Sequence, residues 1–329
     1  MTLSRREFIQ SAAALAAPDG SYDVVVYGGV PCGIAAAIAA AREGAKVLLV
    51  EPTSHIGGLS TSGINTAESE HMLVWTIGGI ALEFYQRLGD YYQTGKPEFY
   101  FESSVAEKVY LSMLREAGVE IRYGARVDKV MRKDKRITAM TLSGGPVVSA
   151  NVFIDAGYEG DLMARSGTPY AVGRESRAEY GEEAAGVRFE PRRVKAATVD
   201  SSGRLLPGIT CWARELKEGD AHRGVMNYNF RPTFARDPAL QVPIPKPERY
   251  DAKRFALLEN WILSESAAGR PVALKQILAF YARRNGKFEV NNIPDAIISM
   301  GHFGGQFDYP DGSYKRREEI LADHWDYTL

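Results

Sequence analysis

The chain has 329 residues, 45% of them hydrophobic, with 40 Lys and Arg against 41 Asp and Glu. That length accommodates two domains with a large core. The charge balance argues against a polyanionic partner such as nucleic acid, and no apolar run is long enough to span a bilayer. Cys32 and Cys211 form neither a C-x-x-C pair nor a zinc spacing, so both read as buried, inert thiols.

The chain opens on Ser4-Arg5-Arg6-Glu7-Phe8-Ile9-Gln10, which resembles a twin-arginine export signal, followed by a short apolar run from Ser11 to Ala17. Residues 1–20 are therefore expected to be a leader that takes no part in the fold, and the mature protein to be exported to the periplasm; otherwise it is cytoplasmic.

From Tyr22 to Pro52 the order is strand, glycine turn, alanine-rich helix, strand. Asp23-Val-Val-Val-Tyr27 is short and β-branched, as suits a strand buried on both faces. Gly28-Gly29-Val30-Pro31-Cys32-Gly33 then turns the chain into a helix that ends at Gly44. Glu51 stands at the tip of the second strand, 23 positions after Gly28. A carboxylate at that spacing suits the ribose of a dinucleotide, and backbone N–H groups at the start of the helix suit its pyrophosphate. Val30 occupies the position of the middle glycine in G-x-G-x-x-G. It is expected either to push the pyrophosphate outward or to send the loop along another path, with Pro31 fixing one dihedral. Without a ligand, the same stretch is an ordinary βαβ unit.

Thr53 to Asn65 reads as a loop whose His55-Ile56-Gly57-Gly58 segment follows the carboxylate. Gly78 to Tyr92 has a helical apolar face, and Ser104 with Glu107 reads as a capping box opening a further helix. Val119 to Tyr123 is a strand. From about 126 to 150 the period changes to two, giving a small antiparallel meander, and Asn151 to Asp155 is a buried strand leading into Ala156-Gly157. Beyond Gly167 the alternation stops. Pro207 to Pro247 reads as irregular segments and strands, Tyr250–Ala268 and Val272–Arg284 as helices, and a last helix starts near Lys315.

Several segments together resemble the FAD-dependent oxidoreductase family of large, xanthan-lyase-like flavoproteins, which carry a glutathione-reductase type of FAD domain. They are Tyr27-Gly-Gly-Val-Pro-Cys-Gly-Ile34, His55 to Gly63, Phe153 to Met163, Val172-Gly-Arg-Glu175 with Tyr180-Gly-Glu182, Asn227-Tyr-Asn-Phe-Arg231 and Asn291-Asn292. The resemblance implies an α/β fold: a Rossmann-like FAD-binding domain over 21–168 with the inserted β-meander, and an α+β substrate or cap domain over 169–329. It implies FAD held at Gly28, Gly29 and Gly33 (pyrophosphate), Glu51 (ribose), Gly57 and Gly58 (following loop), Val127 (backbone to adenine), and Ala156, Gly157 and Asp161 (pyrophosphate and flavin side). It makes the missing middle glycine, where Val30 stands, a family trait. Members are longer, so the C-terminal return to the FAD domain is expected to be missing.

The absence of a cysteine pair after Gly57-Gly58 excludes dithiol chemistry. His55 is expected to be a loop histidine rather than a covalent flavin anchor. Arg231, His302 and Arg174 are the catalytic candidates, each set against a plain ion-pair or core role, with the Tyr158-Glu159 pair beside them. The expected activity is hydride transfer from a small organic or sugar-like substrate to flavin, with no metal, no nucleic-acid partner and an unassigned electron acceptor. A second reading is a carbohydrate-active lyase or binding protein in which the dinucleotide fold is structural, with Trp212, Tyr228 and Trp261 as platforms. A third is an inactive fragment of a longer flavoprotein.

Overall fold

The computed structural model describes residues 21–64, 74–189, 196–293 and 296–329. The twin-arginine-like stretch lies outside them. The described residues divide into two compact units, one reaching Tyr170 and including Arg283–Asn285, the other formed by Ala171–Ala282 and Gly286–Leu329.

The first unit is built on a six-stranded sheet. Its elements are β1 (Tyr22–Tyr27), α1 (Pro31–Arg42), β2 (Val47–Val50), α2 (Gly79–Tyr91), α3 (Ser103–Glu116), β3 (Glu120–Arg122), β4 (Val127–Lys133), β5 (Arg136–Leu142), β6 (Val147–Asp155) and the short α4 (Asp161–Arg165). The order is β3-β2-β1-β6-β5-β4. β1 pairs in parallel with both β2 and β6, and β3 pairs in parallel with β2. β4, β5 and β6 are antiparallel.

Side-chain alternation shows why β1 is apolar throughout. Val24 and Val26 join a core with Ile34, Ile38, Phe84, Val105 and Met113 on the helical face. Val25 and Tyr27 join a second core on the meander face, with Val127, Met140, Leu142 and Leu162. A strand covered on both sides has no use for a polar position.

Three local expectations change. The Val147-Val148 hairpin arm and the buried strand before Asp155 are one continuous strand: its first residues pair with β5 and its later ones with β1. The capping box at Ser104 is not made. α3 is capped by Glu102 without a side-chain bond, and Glu107 instead accepts the Ile56 N–H at 3.2 Å and faces His55 Nδ1 at 3.3 Å. The N-terminus of that helix thus lends its carboxylate to the glycine loop.

In the second unit, α5 (Arg177–Tyr180), β7 (Thr233–Ala235), α6 (Ala256–Ala267), β8 (Leu278–Ala282), β9 (Lys287–Asn292) and α7 (Tyr314–Thr328) stand among long irregular segments. β7, β9 and β8 form a three-stranded antiparallel sheet in that order. The third change falls here. Val272–Arg284 is not a helix but a 3-10 turn leading into β8, where Phe280 pairs with Val290 and Tyr281 with Glu289. Aromatic residues beside a partner strand favour the sheet over a weak helical period.

Candidate FAD cradle and second-unit polar groups

The turn between β1 and α1 is shaped by three close approaches. Gly28 has φ +104°, and a Cβ there would lie 2.6 Å from the Gly157 nitrogen. A Cβ on Gly33 would lie 2.0 Å from the Gly28 oxygen and 2.9 Å from Ala156 Cβ. One on Gly29 would meet Glu51 Oε2 at 2.8 Å. The turn therefore nests against the exit of β6, where Ala156 donates its N–H to the Tyr27 oxygen at 2.8 Å.

Glu51 is buried and closes the other side. Its Oε2 accepts the Gly29 N–H at 2.7 Å and its Oε1 accepts the Thr53 N–H at 2.7 Å. The adjoining loop is tied to the turn through the Gly57 N–H, which donates to the Gly29 oxygen at 2.7 Å. Gly57 has φ +104°, and the Tyr158 hydroxyl accepts the Leu59 N–H at 2.9 Å across the loop.

Val30 turns its side chain into the core. It is buried in the helical-face core, and its Cβ and Cγ1 lie 3.0 Å from where a Gly58 Cβ would sit. The side chain packs inward and is not placed to displace a ligand. Val30 caps α1 with no side-chain hydrogen bond, Pro31 takes the first helical position, and the first turn holds no acidic residue. The N–H groups of the first turn and the helix dipole are thus left for an external anion.

Asp155 fixes the opposite lip. It accepts the Gly157 N–H at 3.0 Å and the Met163 N–H at 2.7 Å. Burial raises its pKa above the usual carboxylate range, against the pull of those two N–H donors. Asp161 begins α4 just beyond, after Gly160 in the left-handed region. Asp155 was legible only as the end of a strand. The feature that marks it is the Ala-Gly pair immediately after it.

Among the other assigned residues, Val127 is fully buried. Its N–H points to the Tyr27 hydroxyl at 3.3 Å and its oxygen accepts Arg165 Nε at 2.8 Å. Its N–H is thus already paired within the unit, and an adenine nitrogen accepting from it needs the Tyr27 hydroxyl to give way. His55 is an exposed loop residue against Glu107. Cys32 is exposed at the start of α1, contrary to the buried thiol expected, because the helix turns that position outward.

The three catalytic candidates lie in the second unit, each with its own partners, and no hydrogen bond or ion pair among the described residues joins them. Arg231 forms a buried ion pair with Glu289, and its Nε has no partner. Arg174 donates to the Gly186 oxygen at 3.2 Å and lines a cavity of about 330 Å³ with Gly173, Gly186 and Val225. His302 contacts Asp323 at 2.8 Å and Arg254 at 2.9 Å, partners that sequence reasoning missed because they lie on distant elements. A polar seam runs beside Arg231. Asn227 donates to Ser299 Oγ and the Gly301 oxygen, both at 3.0 Å, and Asn229 donates to Asn291 at 3.2 Å.

A parallel sheet, a glycine turn, an open helix N-terminus and a strand-tip carboxylate define a dinucleotide-binding protein. A family model described as FAD dependent oxidoreductase matches residues 23–329, and the chain belongs to that family. Over 91 residues, 25% of this chain and 10% of the relative, it is 42% identical to the NADH:fumarate oxidoreductase of Klebsiella pneumoniae (strain 342). Over 136 residues, 40% of this chain and 50% of the relative, it is 30% identical to the thiamine thiazole synthase of Desulfosudis oleivorans (strain DSM 6200 / JCM 39069 / Hxd3). The chain therefore spans a tenth and a half of the length of these two relatives. The L-proline dehydrogenase of P.horikoshii overlaps 49% of this chain and 59% of its own, at 14% identity and a TM-score of 0.35. Bacillus cereus ATCC 14579 glycine oxidase overlaps 42% and 55%, at 17% identity and a TM-score of 0.28.

That family is FAD dependent. The cradle fits the cofactor: Gly28, Gly29 and Gly33 leave no room for side chains beside the open helix N-terminus, and each Glu51 oxygen keeps a lone pair beyond its backbone donor. No helix among the described residues is long and apolar enough to cross a membrane.

Proposed function

We propose that the protein oxidises a small, hydroxyl-bearing organic or sugar-like substrate, with the hydride passing to FAD. Bound flavin supplies the two-electron acceptor. In this reading Gly28, Gly29 and Gly33 with the start of α1 hold the pyrophosphate, Glu51 holds the adenosine ribose, and Ala156, Gly157 and Asp161 border the pyrophosphate and flavin side. The second unit, from 171 on, acts as the substrate domain.

The observation that carries the reading is the closure of the glycine turn by Glu51 beneath an α1 N-terminus that has no internal cap. The substrate class rests on the amide-rich seam, in which Asn227 Oδ1 is buried without a partner. Buried carbonyl oxygens are normally paired, and a substrate hydroxyl is a donor of the right kind. Arg174, beside its cavity, offers guanidinium N–H groups for a carboxylate or sugar oxygen.

The test is a yellow holoprotein that dithionite bleaches, followed by anaerobic mixing with a panel of alcohols, hydroxy acids, amines and sugars. Flavin bleaching by hydroxylated members is the expected result. A colourless protein that takes up no added FAD would refute the reading. The Arg5-Arg6 leader fits export of an already folded flavoprotein, which a reporter fused after residue 20 would test.

A further inference from the structure

Two lips flank the start of α1 in the first unit, and one side chain crosses from one to the other. The exit of β6 is the first lip: a Cβ on Gly28 would lie 2.6 Å from the Gly157 nitrogen, and the Ala156 N–H donates to the Tyr27 oxygen at 2.8 Å. The loop from Gly57 to Gly63 is the second, tied to the turn by the Gly57 N–H, which donates to the Gly29 oxygen at 2.7 Å. Tyr158, next after Gly157, reaches across and accepts the Leu59 N–H at 2.9 Å.

These contacts make a closed circuit. From Gly28 it runs through Gly29 to Gly57, along the loop to Leu59, through the Tyr158 side chain to Gly157, and back to Gly28. Two of its joins set backbone against backbone at glycine, and they part only if the turn spreads. The third is one hydroxyl on a residue that is 55% exposed. A side chain changes rotamer without disturbing the sheet, so this join is the one that opens.

The fit of the hydroxyl is close. Gly58 has φ +52°, and a Cβ there would lie 2.4 Å from the Tyr158 oxygen and 3.0 Å from Val30. The loop holds its own shape besides: Thr61 Oγ1 donates to the Ile56 oxygen at 2.7 Å and the Gly58 oxygen at 3.1 Å, and Glu107 accepts the Ile56 N–H. Tyr158 is thus needed to fasten a preformed loop to the opposite lip, not to build it. Burial raises the Tyr158 pKa and the Leu59 N–H opposes the shift, while Cys32 in the first turn of α1, Glu159 and Glu51 add to it. The hydroxyl therefore stands at the mouth of the cradle, between α1 and the tip of β2, and is neutral at ordinary pH.

We propose that Tyr158 is a positioning residue that straps the two lips together and gates the exchange of FAD. The inference rests on the cradle reading above. A dinucleotide held at α1 by the pyrophosphate in its middle has adenosine on one side and flavin on the other, so neither end draws the molecule out while the circuit is closed. The strap is made with and without FAD, so its loss cancels from the affinity and shows in the rates.

The test has two arms on the full chain. In the first, hydrogen exchange of wild type and Tyr158→Phe is read by mass spectrometry over peptides covering Gly57 to Gly63. Faster exchange in the variant's loop, with α2 unchanged, is the expected result. Equal exchange in the loop overturns the inference.

The second arm measures FAD association with the apoprotein by stopped-flow fluorescence, and its release from the holoprotein by the return of free-FAD fluorescence on dilution. Tyr158→Phe is expected to raise both rate constants about three- to tenfold, the worth of one hydrogen bond, and to leave the affinity within about threefold. Gly58→Ala, which crowds the hydroxyl from the loop side, should act in the same direction. Faster release with unchanged association would make Tyr158 a contact of FAD rather than a gate, and overturns the inference, as do two unchanged rates. Glu51→Ala is the control for the cradle itself. If it weakens FAD binding while Tyr158→Phe leaves both rates alone, only the strap has failed; if it too leaves binding unchanged, the cradle reading has failed and the inference with it.

Discussion

Glu51 Oε2 lies 2.7 Å from the Gly29 amide, so the carboxylate assigned to the ribose also holds the glycine turn in shape. Replacing it by alanine strands the Gly29 N–H in a buried place and removes the acceptor of Thr53. An unmade buried hydrogen bond costs about 1–3 kcal/mol. Glu51→Ala is therefore expected to lower FAD affinity about 10- to 100-fold and the melting temperature of the apoprotein as well. Glu51→Gln keeps one acceptor oxygen and should fall between. Fluorescence titration with FAD and thermal denaturation of both proteins check this.

Val30 makes the opposite case. Its side chain belongs to the core and not to the ligand's path, so Val30→Gly should act on stability. Removing a buried valine costs about 1.5–3 kcal/mol, while FAD affinity should stay within about threefold. Urea unfolding alongside an FAD titration separates the two. A gain of orders of magnitude in affinity would show that the valine does obstruct the pyrophosphate.

Gly33 is constrained by contact and Gly44 by conformation alone. A Cβ on Gly33 would meet the Gly28 oxygen at 2.0 Å, whereas one on Gly44 meets nothing within 4 Å but sits at φ +91°. Gly33→Ala must spread the turn or shift α1, at about 1–3 kcal/mol or more, and should impair flavin retention. Gly44→Ala should cost about 1 kcal/mol and leave flavin content unchanged. Flavin-to-protein ratio after desalting distinguishes them.

The glycine turn was legible because its constraint is local: spacing from Gly28 to Gly33 and on to Glu51 follows from strand and helix lengths. The meander face was less so, since nothing in Val147-Val148 says that the strand continues through Asp155 into the parallel sheet. Glu107 was misassigned for a related reason. A capping box and a long-range bond to Ile56 need the same residue type, and only tertiary structure chooses between them. The Val272–Arg284 stretch misled because a weak helical period yields to cross-strand pairing with β9. The partners of Arg231 and His302 were illegible, lying 58 and 21 residues away with no pattern joining them.

The Arg231–Glu289 pair changes how Arg231 must be tested. Removing one member leaves a buried charge uncompensated, a loss of about 3–5 kcal/mol, whereas replacing both by apolar residues is often neutral. Arg231→Ala is expected to fold poorly, so its inactivity would say nothing about catalysis. Arg231→Met combined with Glu289→Leu should recover most of the stability, measured by urea unfolding. If that double variant, with full flavin, turns over at the wild-type rate, Arg231 is structural.

The last prediction concerns pH. His324 is buried, its Nδ1 faces the Ile320 oxygen at 3.0 Å, and its Nε2 has no partner. Burial lowers its pKa below the usual imidazole range; the bond to Ile320 opposes the shift, and nearby His302 adds to it. The unfolded chain therefore takes up a proton, near pH 6.5 for an ordinary imidazole, before the folded chain does. The stabilising contribution is present above that pH and is lost as the pH falls towards the folded value. The melting temperature of the second unit should decline as the pH is lowered from about 7.5 to about 5.5. Asp323, whose pKa is lowered, titrates further down: burial alone would raise it, but the bonds from His302 and Arg254 outweigh burial. Its loss falls below the ordinary aspartate range of about 4 and is separable. Calorimetry of wild type and His324→Phe across this range should show the slope between about pH 7.5 and 5.5 in the wild type flattened in the variant. An equal slope in both would assign the effect to another group.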